Sequence, residues 1–171
     1  MLFRSQSKFK VQWPHRALPR PAEARFRTLE AARAFEEGVN AYEQKEYSAA
    51  LAAFRRAVQN DPQRLIGQAW LSRTLLVMGD RRGAEAAGRV AVQLLTPETP
   101  RADALFAQAA FAEAQNDLDV AEKRQRELAG LVNDDPTGHA ELADFLRRQD
   151  RNQPSIEAYQ DRKSTRLNSS H

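Results

Sequence analysis

The chain has no cysteine, which excludes disulfides and thiol chemistry but fits either redox compartment. No apolar run approaches the roughly 20 residues that a helix needs to cross a bilayer. Histidine is scarce. His15 lies in a proline-rich stretch and His139 at the start of a helical segment, without HExxH-type spacing, so neither a metal site nor a general base is indicated. The stretch "GAEAAGRV" imitates a phosphate loop but lacks the Lys and Ser/Thr that would hold phosphate and magnesium. These absences predict a chain with no catalytic residues, no cofactor and no metal.

The two ends differ from what lies between them. "DRKSTRLNSSH" reads back into codons as an in-frame sequencing adapter, and "MLFRS" resembles the other adapter arm. Residues 1–5 and 161–171 are therefore expected to be adapter-like scars flanking a fragment, residues 6–160, and are set aside in reasoning about the fold. Without Arg4, Arg162, Lys163, Arg166 and Asp161, the remainder holds 22 basic and 22 acidic residues. The whole-chain net charge of +3, which would have hinted at nucleic acid or an anionic membrane, is then mostly a property of the flanks. The same holds for the "NSS" glycosylation pattern. The 155 residues left suffice for one domain with a sizeable core.

Alanine dominates what is there, and apolar residues recur at three-and-four spacing, which predicts helices throughout. The helices repeat. Gly38, Ala50 and Ala57 fall on Ser72, Ala84 and Ala91 at an offset of 34. Ala109, Ala121 and Leu128 follow at 37, and Ala143 and Ser155 at 34 again. The longer interval comes from "TPETP", a connection that absorbs three residues where a helix would have its apolar face turned out of register. First helices are expected near 28–44, 63–78, 101–115 and 137–149, and second helices near 47–60, 82–95, 118–132 and from Pro154, which suits a first turn. "WPHRALPRP" packs three prolines into nine residues, and residues 6–27 are expected to be an extended linker from an upstream domain.

This pattern resembles the tetratricopeptide repeat. Gly38, Ala50, Phe54, Ala57 and Pro62 sit on its positions in the first repeat, with Tyr42 and Tyr47 beside them. The second repeat keeps Leu71, Ser72, Ala84 and Ala91 but has Gly88 where a large residue belongs, which predicts unfilled volume and a weak joint. The third keeps Ala109, Ala121 and Leu128 with Gln125 at the large position; the fourth keeps Leu142, Ala143, Leu146, Ser155 and Tyr159. The resemblance implies an all-α solenoid, a right-handed superhelix of about four helix-turn-helix repeats (about 31–64, 65–98, 102–135 and 136–160), the last truncated.

The resemblance also implies where a ligand would sit, on the concave face lined by positions 2, 5, 9, 12 and 13 of each first helix. The candidate groove residues are Phe35, Val39, Tyr42, Arg73, Leu76 and Phe106, with an apolar first half. Phe35 and Val39 occupy positions where a clamp for a peptide carboxylate needs Lys and Asn, so the expected ligand is instead an apolar helix or extended segment, possibly from the same chain. The stretches "TLEAARAFEEGVNAYEQKEYSAALAAFRRAVQNDP" and "TPETPRADALFAQAAFAEAQNDLDVAEKRQRELAGLVNDDP", in the first and third repeats, look like repeat regions of large bacterial regulators that carry an N-terminal kinase or winged-helix domain, which implies protein–protein interaction within such a regulator. A scaffold of an envelope or polysaccharide-secretion complex is the alternative. Neither nucleic acid nor membrane is an expected partner of this piece, whereas self-association through the truncated last repeat is.

Overall fold

A computed structural model describes residues 26–131 and 136–149, with backbone alone at 136–141. Seven helices occur among the described residues: α1 (Leu29–Glu43), α2 (Tyr47–Asn60), α3 (Leu65–Val77), α4 (Arg81–Gln93), α5 (Arg101–Ala114), α6 (Leu118–Leu131) and α7 (Pro136–Arg148). Local chemistry starts them. Thr28 Oγ1 accepts from the Ala31 N–H at 3.1 Å, and an Asp80 carboxylate oxygen accepts from the Gly83 N–H at 2.9 Å, each satisfying a donor that the first turn leaves without a partner.

The ends of α1, α3 and α5 repeat one backbone motif. Lys45, Gly79 and Asn116 all take positive φ, at 63°, 87° and 65°. The following residue donates back five positions in each case, Glu46 to Ala41, Asp80 to Leu75 and Asp117 to Ala112, all at 2.9 Å. This is the Schellman closure, in which a left-handed residue just past the helix lets two N–H groups reach the last carbonyls. The three left-handed positions are 34 and 37 residues apart, the offsets that the side chains show.

The chain is thus an all-α repeat of helix pairs. Within pairs, α1 packs on α2, α3 on α4 and α5 on α6; between pairs, α2 meets α3, α4 and α3 meet α5, and α6 meets α7. Small residues permit the close approach: Ala50, Ala53, Ala57, Ala84, Ala91, Ala109 and Ala121 expose no surface. At Gly38 an added Cβ would lie 2.6 Å from the Phe54 ring, so the ring takes the place of a side chain there.

Gly88 overturns an expectation. A Cβ added there would meet the Phe111 Cα and the Ser72 Oγ, both at 3.0 Å. No volume is left unfilled, because the backbone of α5 has closed on α4 and the Ser72 hydroxyl, donating to the Ala84 carbonyl at 2.7 Å, fills the other side. The glycine is what brings the second and third pairs together. At the equivalent position of the third repeat Gln125 is buried, and its Oε1 accepts no hydrogen bond.

Observed helix bounds differ from the expected ones by a residue or two at the ends. The expected linker ends earlier than residue 27. Phe26 packs its ring 5.0 Å from that of Phe35, and the Arg27 N–H donates to Asp61 at 2.9 Å, so both belong to the packed body. The rest of the linker, the adapter-like flanks and the helix expected from Pro154 lie outside the described residues.

Candidate functional site

The first helices of the three complete pairs, α1, α3 and α5, carry all six candidate residues, and three of these, Phe35, Tyr42 and Phe106, stand around a residue that the pattern positions do not include. Trp70, on α3, is 1% exposed, and four rings surround it. Phe54 stacks on it at 5.6 Å, while Tyr42 and Phe106 approach at 5.2 Å and Phe35 at 6.4 Å. These rings come from α1, α2 and α5, so a single indole joins all three pairs.

Arg73 lies one turn along α3. Its guanidinium is 5.9 Å from the Tyr42 ring centre and 5.5 Å from that of Phe106, and its Nε donates to the Tyr42 hydroxyl at 3.3 Å. At 3% exposure the charge has left water, and two electron-rich ring faces partly offset that cost. Tyr42, Arg73 and Phe106 therefore form one row across three successive first helices.

Two expectations change here. The apolar first half of the groove is not open lining, since Phe35 and Phe106 expose nothing and Val39 is 8% exposed. The physical reason is that Trp70 and Phe26, neither at a groove position, reach between α1 and α3 and fill the space. Nor does Arg73, a candidate groove residue, present its charge to the groove, since it is 3% exposed. What a ligand can touch is the half-buried set, Tyr42, Leu76 and Val77, running out to Met78, which is 44% exposed.

The groove expected of the third and fourth repeats is tied up in structure. Glu113, 5% exposed, receives both Nε and Nη2 of Arg148 at 3.1–3.2 Å, and Arg81 donates to the Glu113 and Ala114 carbonyls at 3.2 and 3.0 Å. These contacts satisfy the carbonyl end of α5 and hold α7 to it. Among the described residues no three His, Asp or Glu side chains gather as metal ligands.

Trp70 had a signal in the sequence. "LIGQAWLSRTLLV" spreads its apolar residues around the helix rather than gathering them on one face, and such a helix is buried on several sides rather than along one stripe. Its tryptophan was therefore bound to be a core residue between neighbours.

No family model matches the chain, and no curated protein matches it in sequence. Solved structures do. A MamA double mutant matches at a TM-score of 0.46 and 13% identity over 83% of this chain and 79% of that one. Another MamA structure gives 0.43 and 15%, over 81% and 74%. MamA residues 41 to the end, from Desulfovibrio magneticus RS-1, gives 0.39 and 10%, over 84% and 99%. A likeness this remote says nothing of ligand or partner.

Among the described residues no helix is long and apolar enough to cross a membrane.

Proposed function

We propose that the chain is a protein-interaction module which binds an apolar peptide or helical segment across its first helices, at Tyr42, Leu76 and Val77 above the buried Arg73 and Phe106. The observation that carries this reading is the continuous row of Tyr42, Arg73 and Phe106 over three helix pairs. Side chains already held by rings and a buried charge lose little rotamer freedom when a ligand arrives, and a rigid aromatic edge is the common anchor of peptide interfaces. The resemblance of the first and third repeats to bacterial regulators supports a place within such a protein, as a part without chemistry of its own.

The test is a displayed library of random peptides selected against the whole chain. Selected ligands should be apolar, their affinity should change little with salt, and both Tyr42→Ala and Leu76→Lys should weaken them by about tenfold or more, roughly 1.4 kcal/mol. Thermal melts of both variants separate loss of the site from loss of the fold. Ligands that ignore both substitutions and fall off with salt would transfer the function to an electrostatic surface instead.

A further inference from the structure

The joint between the third pair and α7 is built differently from those before it. Rings from three helix pairs meet at Trp70, whereas the cluster at α7 sets Leu142, Ala143, Phe145 and Leu146 against Ala112 of α5 and Ala121 and Ala129 of α6. Alanine buries little apolar area. Gln125 lies one turn from both Ala121 and Ala129 on the same side of α6, and its Oε1 is enclosed without a donor, so the joint also carries a cost.

Charge supplies what apolar area does not. The Glu113 carboxylate, in the last turn of α5, accepts from Nε and Nη2 of Arg148, the last residue of α7, at 3.1–3.2 Å. The two side chains leave only 5% and 24% of their surface to water. A carboxylate in that turn opposes the dipole of α5, whose carbonyl end is already met by Arg81, and Arg148 is the guanidinium that meets the carboxylate itself. With α7 in place, Glu113 deprived of Arg148 would be a buried charge left unmatched, which is far costlier than a matched one. With α7 away, the same carboxylate is hydrated.

We propose that α7 is a strap that docks on the third helix pair and undocks from it as a unit, with the Glu113–Arg148 pair as its latch. Docking requires both charges, because either one alone would be enclosed without its partner; undocking returns both to water and leaves the pairs that meet at Trp70 intact. The two residues stand at groove positions of their first helices. Undocking therefore shortens the row of first helices from four to three and bares a carboxylate and a guanidinium that the docked form keeps to each other. The length and the charge of the concave face thus depend on one ion pair.

The test is hydrogen–deuterium exchange of the full chain and three variants, read helix by helix. In Arg148→Met the amides of α7 should exchange faster by about tenfold or more, while those of α3 and α4 keep their rates. Arg148→Lys, which keeps the charge and loses the two-pronged hydrogen bond, should fall between that variant and the parent. The double variant Glu113→Leu with Arg148→Met removes both charges, and it should bring α7 most of the way back to the parent rate. Loss of packing by the arginine stem alone would not be reversed in this way. Unchanged α7 rates in Arg148→Met overturn the latch. A double variant as fast as Arg148→Met shows that packing and not charge holds α7, and faster exchange in every helix alike shows that α7 is no separable unit; either result overturns the proposal.

Discussion

Trp70→Ala is expected to cost about 3–5 kcal/mol of stability, more than any other single truncation in the described body. The indole is 1% exposed and meets rings from α1, α2 and α5, so its loss opens one cavity at the junction of three helix pairs. Collapse around it is hindered because Phe35 is itself wedged between Phe26, Phe54 and Trp70. Its Nε1 has no acceptor, which lowers the net value of the side chain by a fraction of a desolvation penalty of about 1–3 kcal/mol. Trp70→Phe should therefore cost clearly less than Trp70→Ala. Urea denaturation followed by circular dichroism measures both, and a loss under about 1 kcal/mol for the alanine variant would mean that the pairs are joined elsewhere.

Gly88→Ala should destabilise by about 1–3 kcal/mol, although alanine is the better helix former by up to about 1 kcal/mol. The new methyl would stand 3.0 Å from a backbone atom of α5 and from the Ser72 oxygen, and neither yields cheaply. Moving Phe111 Cα shifts a whole helix, and moving the Ser72 hydroxyl breaks its buried bond to the Ala84 carbonyl. The midpoint of denaturation should fall. A rise would show that α4 and α5 can separate at little cost and that the glycine is a defect in packing after all.

Much of the fold was legible because it is periodic. The offsets of 34 and 37 appear in the small residues and again in the left-handed positions Lys45, Gly79 and Asn116, since one helix-pair geometry imposes both. Gly88 misled for the opposite reason. A pattern that expects a large residue reads glycine as missing volume, but backbone approach can fill that volume as well as a side chain, and one sequence does not say which. The candidate site was legible as a set of positions and not as a surface. Tyr42, Arg73 and Phe106 do come together, yet whether a groove position is lining or core depends on what enters from outside the pattern, and here Trp70 and Phe26 enter. The spread of apolar residues around α3 held part of that information; the seat of Phe26 depends on tertiary packing that no local spacing encodes.

An array in which each pair holds only its neighbours, joined at Trp70, has a particular distribution of stability. Native-state hydrogen exchange of the full chain, resolved by residue, reads it directly. Amides of α3, α4 and α5 should exchange slowest, with protection declining toward α1 on one side and α7 on the other, and Trp70→Ala should make α1 and α2 open independently of α5 and α6. Equal protection from α1 through α7, falling uniformly in the variant, would contradict the account and show one undivided core in place of a row of helix pairs.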